Sequence, residues 1–83
     1  MYKLLVSVKA KKEIKPLLKR YQFSIIEALE DIKENPLGGK ALTRELMGRF
    51  SYRVGVYRII YKVNQKDNII TIITAGHRST IYD

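Results

Sequence analysis

The chain has 83 residues, a length that allows one small domain with one hydrophobic core. It has no cysteine and only one histidine, which excludes disulfide bonds, thiolate catalysis and zinc ribbons, so we expect neither a metal ion nor another cofactor. Sixteen lysines and arginines against eight acidic residues give a net charge of +8, which favours polyanions or an acidic protein partner.

The amino-terminal segment predicts a strand followed by a helix. Residues 2–6 form a short run with an aromatic and a β-branched residue, which is typical of a strand, and Ser7 can cap the following helix. An apolar stripe at helical spacing is formed by Ile14, Leu17, Leu18 and Tyr21. Because Pro16 lacks an N–H, we expect the helix to kink or to end near Lys15 and restart.

A second helix is predicted to begin at Ser24, which has capping-box spacing to Glu27. Its buried face is expected to consist of Ile25, Ile26, Leu29 and Ile32. Asn35-Pro36 ends this helix, because the residue before a proline is pushed out of the helical conformation. Two helices joined by a short link are expected to pack as a hairpin on one face of a sheet.

The remainder of the chain predicts a loop at residues 37–40 and then three strands. One short helical turn before Gly48 is suggested by Leu42, Leu46 and Met47. The strands are predicted at residues 50–54, 57–63 and 69–75, and the last is apolar enough to be central. Gly55-Val56 predicts a tight hairpin turn with glycine at its first central position.

This order, β-α-α-β-β-β, indicates an α+β fold as a single domain over residues 1–83. The helical hairpin is predicted to pack on one face of a mainly antiparallel, twisted sheet. In the second of the three strands, alternation places Tyr57 and Tyr61 on one face and Arg58 and Lys62 on the other. If the aromatic face packs on the helices, Arg58 and Lys62 belong to an exposed, helix-free face.

Positive charge lies at both ends of the chain. Residues 1–20 carry seven basic residues and one acid, residues 24–34 one base and four acids, and residues 36–83 eight bases and three acids.

No apolar run approaches the roughly 18 residues of a membrane span, and the apolar start is too short for a signal peptide. We therefore expect a cytoplasmic protein.

The candidate chemistry lies in the carboxy-terminal half, where the residues suited to handling phosphate are Arg53, Arg58, His77, Arg78 and Tyr82. A guanidinium donates paired hydrogen bonds to a phosphate and stays charged, and tyrosine or histidine can stack on a base or move a proton. The sequence supports neither a Ser-His-Asp triad nor a phosphate-binding glycine loop. From spacing alone, these residues are either a catalytic cluster or a plain basic sheet surface.

The chain resembles the RelE branch of the RelE/ParE toxin superfamily over essentially its whole length. The resemblance is carried by residues 52–61 (Tyr-Arg-Val-Gly-Val-Tyr-Arg-Ile-Ile-Tyr), by Gly76-His77-Arg78, by Tyr82, and by the helix pair that ends at Glu34-Asn35-Pro36. It implies a bacterial or archaeal toxin of a type II toxin–antitoxin pair. Such toxins cleave mRNA in the ribosomal A site without a metal, by attack of the RNA 2′-hydroxyl.

The resemblance also implies roles for individual residues. Arg58 matches the arginine that stabilises the scissile phosphate, Arg78 the arginine that assists charge stabilisation or leaving-group protonation, and Tyr82 the tyrosine that stacks on or orients the substrate. The substrate-binding residues are expected to be Arg53, Lys62, Lys40 and Arg49. The expected partners are an acidic antitoxin, the ribosome with mRNA, and operator DNA only together with the antitoxin.

One departure from the family pattern concerns the general base. Members of the family carry two basic residues two positions apart on the strand before the hairpin, whereas Ser51 and Gly55 flank Arg53 at that spacing. His77 can fill the acid–base role, or it can be a structural tether to the sheet. Two other functions remain open: a ParE-type inhibitor of DNA gyrase, and a non-catalytic basic module that binds antitoxin and operator DNA.

Overall fold

The computed structural model describes residues 1–41 and 48–77. Its elements are β1 (Lys3–Val6), α1 (Val8–Ile14), α2 (Lys19–Glu34), β2 (Lys40–Ala41), β3 (Arg49–Val54), β4 (Tyr57–Asn64) and β5 (Ile69–His77). The helical turn predicted around Leu42, Leu46 and Met47 lies outside the described residues. Neither helix is long and apolar enough within the described ranges to cross a membrane.

The strands form one mixed sheet in the order β1-β5-β4-β3-β2, with β1 parallel to β5 and all other neighbours antiparallel. The predicted α+β class, with two helices and a mainly antiparallel sheet, is confirmed. The structure adds β2, where Lys40 and Ala41 pair with Ser51 and Phe50. Lys40 was predicted to lie in the loop at residues 37–40. Two residues are too few to show the alternation that reveals a strand.

The first helix matches its prediction. The Ser7 Oγ accepts a hydrogen bond from the Ala10 N–H at 3.0 Å and caps α1. The expected break at Pro16 is confirmed, because α1 ends at Ile14 and α2 begins at Lys19.

The predicted helix start at Ser24 is wrong. Ser24 lies inside α2, where its hydroxyl donates to the Arg20 carbonyl at 3.1 Å, a bond that a helix interior tolerates. The helix begins earlier because Tyr21 continues the stripe of Ile25 by one turn. Two residues expected on apolar stripes are exposed instead, Leu18 by 62% and Ile26 by 52%.

The core lies between the helices and one face of the sheet. It is built from Ala10, Ile25, Ala28, Leu29 and Ile32 of the helices and from Ile59, Tyr61, Ile70, Ile72 and Ala75 of the sheet. The prediction that the aromatic face of β4 packs on the helices is therefore confirmed. The Tyr61 hydroxyl donates to the Pro36 carbonyl at 2.8 Å, which ties the end of α2 to the middle of the sheet.

Candidate functional site

The β3–β4 hairpin arranges its basic residues in opposite pairs. Arg53 lies directly across from Arg58, and Arg49 lies directly across from Lys62. Directly opposite residues of an antiparallel pair point to the same face, and this face is the one turned away from the helices. We call these four residues the basic ladder. The hairpin register depends on the two-residue turn at Gly55, whose φ of 59° suits glycine and confirms the predicted turn.

Arg53 and Arg58 carry like charges at directly opposite positions, so they repel each other. Directly opposite Cβ atoms lie about 4.5–5.5 Å apart, and like charges in such positions destabilise the sheet. An anion bound by both guanidinium groups would replace this repulsion with two attractive interactions. The arrangement is therefore one that a phosphate stabilises.

Arg58 differs from the expected exposed arginine. It is only 7% exposed, whereas Arg53 and Lys62 are exposed as predicted. On its other side, β5 places Gly76 directly opposite Arg58, so the residue directly across from it has no side chain. A guanidinium keeps its charge when buried, and reduced contact with water strengthens its attraction for a phosphate.

His77 lies on the other face of the sheet. It is directly opposite Tyr57, and the two rings meet edge-on at 5.8 Å between centroids and 78° between planes. Tyr57 also contacts Tyr21 of α2 at 5.5 Å. This ring contact is compatible with the structural role, and the acid–base role of His77 stays a prediction. The histidine and Arg58 are not brought together across the sheet.

A β-bulge accounts for the position of His77. Ile72 is opposite Tyr61 and Thr74 is opposite Ile60, so Ile73 is an extra residue in β5. Strict alternation from the buried Ile72 would place His77 on the helix-free face, together with Arg58. The extra residue reverses the alternation and turns His77 towards the helices instead.

The remaining predicted site residues are located less completely. Lys40 begins β2, where its backbone is opposite Ser51. Arg78 and Tyr82 lie outside the described residues, so their roles stay predictions. Within residues 1–41 and 48–77, no group of three or more histidine and acidic side chains is placed to hold a metal ion.

The opposite side of the hairpin carries an acidic cavity of about 270 Å³, lined by Asp31, Glu34, Asn35, Gly38 and Tyr52. The Tyr52 hydroxyl donates to the Asp31 carboxylate at 3.2 Å. The pKa of Tyr52 is raised, mainly by burial and further by this hydrogen bond and the negative charge of Asp31. The two carboxylates make this cavity unsuitable for a phosphate, so the basic ladder is the face suited to an anion.

One residue at the sheet edge was missed by the sequence analysis. Glu13 of α1 binds β5 through Thr74 and Ala75, close to the bulge. It is the only acidic residue among the first 20, and that isolation was the available signal. Sequence spacing alone could not show that it reaches a strand about 60 residues away.

The chain is similar to known proteins over almost its whole length. Residues 4–82 match the family described as the ParE toxin of the type II toxin–antitoxin system parDE. Toxin RelG of Mycobacterium tuberculosis is 34% identical over 83 residues, covering 98% of this chain and 95% of that protein.

Two solved structures are similar in fold. The RelBE2 toxin–antitoxin complex of Mycobacterium tuberculosis has a chain with a TM-score of 0.84 and 32% identity, covering 93% of this chain and 98% of that chain. The intact E. coli RelBE complex has one with a TM-score of 0.81 and 20% identity, covering 93% and 96%. With the family match over nearly the whole sequence, these similarities show that the chain belongs to the RelE/ParE superfamily of type II toxin–antitoxin toxins.

Proposed function

We propose that this toxin is a ribosome-dependent endoribonuclease that cleaves mRNA in the A site without a metal ion. The observation that carries the proposal is the pair of Arg53 and Arg58, opposite each other on the helix-free face, with Arg58 nearly enclosed. Two fixed positive charges at this separation suit the extra negative charge that a phosphoryl group gains in its transition state.

The proposed reaction uses the nucleophile that RNA already carries. The 2′-oxygen attacks the adjacent phosphorus, the bond from phosphorus to the 5′-oxygen breaks, and the products are a 2′,3′-cyclic phosphate and a 5′-hydroxyl. The proton lost by the 2′-hydroxyl goes to a base, and the leaving 5′-oxygen gains one. Arg58 binds the non-bridging phosphate oxygens, and Arg53 approaches them from the solvent side.

The other predicted residues complete the proposal. Arg49 and Lys62, the second pair of the basic ladder, bind the RNA backbone at some distance from the scissile bond. Lys40 is proposed to bind RNA as well. By resemblance, Arg78 assists charge stabilisation or leaving-group protonation, and Tyr82 stacks on or orients the substrate. His77, whose ring contacts Tyr57 on the helix side of the sheet, stays the candidate for the acid–base role.

The proposed partner is an acidic antitoxin. The solved complexes RelBE2 and RelBE each join a toxin to an antitoxin, and this chain carries a net charge of +8 that an acidic partner would neutralise. A partner that covers the basic ladder would block RNA binding directly. Operator DNA is proposed as a partner only of the toxin–antitoxin complex, and the ribosomal target places the action in the cytoplasm.

The test is expression of the toxin in cells, with transcript ends mapped by primer extension and DNA breaks scored in parallel. Codon-phased cuts are expected in translated messages, and Arg58→Gln is expected to reduce them by roughly 10²–10³-fold, the usual loss for one transition-state contact. Lys66→Gln is the control, because it removes the same charge from an exposed loop position.

The same experiment separates the other two functions. Growth arrest with broken DNA and intact messages would replace the proposal with gyrase inhibition, the function implied by a ParE-type toxin. Normal growth, with antitoxin binding retained, would leave a non-catalytic basic module.

A further inference from the structure

Glu13 makes an unusually complete set of contacts for a residue of a lysine-rich helix. The Thr74 hydroxyl lies 2.6 and 2.8 Å from the two oxygens of its carboxylate, and the Ala75 N–H donates to it at 2.9 Å. Thr74 is 7% exposed and Ala75 is fully buried. Hydrogen bonds to a charged acceptor are stronger than bonds between neutral groups.

These contacts continue the sheet beyond the end of β1. The last residue of β1, Val6, is opposite Ile72. The next residue, Ser7, donates from its N–H to the Ile72 carbonyl at 3.0 Å and from its hydroxyl to the Ile73 carbonyl at 2.7 Å. Glu13 then accepts from Ala75. Side chains of α1 and its cap thus take the place of a neighbouring strand along this part of β5.

The contacts fall at the bulge and directly after it. Ser7 binds Ile73, the extra residue, and Glu13 binds Thr74 and Ala75, the two residues that follow it. The next residue, Gly76, is the one opposite Arg58. A bulge interrupts the ladder of backbone hydrogen bonds and changes which face the following side chains occupy. Bonds that fix the strand at this point therefore fix its register against β4.

The position of an acid here is otherwise unfavourable for binding RNA. Residues 1–20 contain seven basic residues and Glu13 as their single acid, so a negative charge reduces the attraction of this end for a phosphate backbone. An acid kept on a solvated helix face would have only that effect. Glu13 instead is half-buried, and its carboxylate accepts hydrogen bonds from β5.

We propose that Glu13 is a positioning residue of the RNA site: its carboxylate holds the bulge of β5 in place, so that Gly76 stays opposite Arg58 and the alternation beyond the bulge is kept. The inference rests on the proposed ribonuclease function for its consequence in catalysis. Glu13 acts through β5 and touches no RNA.

The test compares Glu13→Gln with Glu30→Gln, which removes one negative charge from an exposed position on α2. Cleavage of mRNA on programmed ribosomes is measured with the full chain, giving kcat and KM separately. Glu13→Gln is expected to lower kcat by roughly 10-fold or more, the scale of a small misplacement at a reacting centre, with KM within about 2-fold. Glu30→Gln is expected to leave kcat unchanged.

A second variant keeps the test informative if the first is unstable. Thr74→Val keeps the shape of the side chain and removes the hydroxyl, and Thr74→Ser keeps the hydroxyl. We expect Thr74→Val to lower kcat and Thr74→Ser to retain it. The double variant of Glu13→Gln and Thr74→Val is expected to be no worse than the poorer single one, because both substitutions weaken the same contact.

A readout without activity separates this proposal from the proposed function. Amide hydrogen exchange of residues 75–77 is expected to accelerate in Glu13→Gln and not in Glu30→Gln. If the wild-type chain cleaves no RNA, the ribonuclease function fails, and the exchange rates still decide whether Glu13 holds β5. Wild-type exchange and wild-type kcat in Glu13→Gln would overturn the positioning role, as would a loss confined to KM.

Discussion

The repulsion between Arg53 and Arg58 predicts that one substitution stabilises the free toxin and weakens its function. Two charges about 6 Å apart repel by about 0.7 kcal/mol at the dielectric constant of water, and cross-strand pairs of this kind contribute roughly 0.2–1 kcal/mol. The high-dielectric value is the relevant one because Arg53 is exposed. Arg53→Gln is therefore expected to raise the Tm of the free protein by about 3–5 °C.

The assay is thermal unfolding of the wild type, of Arg53→Gln, of Arg58→Gln and of the double variant, at low salt and at high salt. The cycle isolates the interaction between the two positions from the other contacts that each arginine makes. A repulsive coupling is expected at low salt. It is expected to vanish near 1 M salt, where the screening length is about 3 Å. Ribosome-dependent cleavage of mRNA by Arg53→Gln is expected to fall although its stability rises.

Arg49 supplies the matched control, because it is on the same face but four residues from Arg53 along β3. Arg49 lies about 13 Å along the strands from the pair of Arg53 and Arg58. The effects of Arg49→Gln and Arg58→Gln on stability are therefore expected to be nearly additive. An attractive or absent coupling between Arg53 and Arg58 at low salt would refute the electrostatic reasoning. Unchanged cleavage by Arg53→Gln would remove this residue from the RNA site.

Three further substitutions test the fold that supports the site. Tyr61→Phe leaves the Pro36 carbonyl without its partner and is expected to lower the free energy of unfolding by about 1–3 kcal/mol, measured by urea denaturation. Burial raises the pKa of Tyr61 above 10.0. This tyrosine therefore stabilises the fold fully below pH 10.0 and progressively less as the pH rises through its folded pKa. Tyr61→Phe is expected not to show this loss of stability at high pH. Gly39→Ala brings a methyl group against the Tyr61 hydroxyl and is expected to cost about 1–3 kcal/mol in the same assay. Ser7→Ala removes the cap of α1 and its bond to Ile73 and is expected to cost about 0.5–2 kcal/mol.

Each of these has an internal control. Tyr52→Phe removes a hydroxyl whose partner, Asp31, is exposed, so a smaller loss than in Tyr61→Phe is expected. Gly55→Ala introduces a methyl group with no atom within 4 Å, so any loss of stability comes only from the strained backbone at a φ of 59°. Ser24→Ala removes a hydroxyl from a helix interior and is expected to be nearly neutral. Equal losses of stability within the tyrosine pair or within the serine pair would contradict the corresponding contact.

Much of the fold was predictable because its signals are local. The stop at Pro16, the cap at Ser7 and the hairpin turn at Gly55 each follow from the conformational limits of one residue type. The alternation in β4 correctly separated Tyr61, in the core, from Lys62, on the helix-free face. The start of α2 was misplaced because Ser24 has the residue types of a cap but lies within a longer apolar stripe.

The sequence by itself determined which residues of the β3–β4 hairpin share a face, because a two-residue turn fixes the register of both strands and brings Arg53 opposite Arg58. Only the tertiary structure decided what lies beside that pair. Alternation along β5 would place His77 next to Arg58, and the single extra residue Ile73 reverses it. Beside this bulge, Glu13 of α1 accepts a hydrogen bond from Ala75, and no local spacing encodes a contact between residues about 60 positions apart.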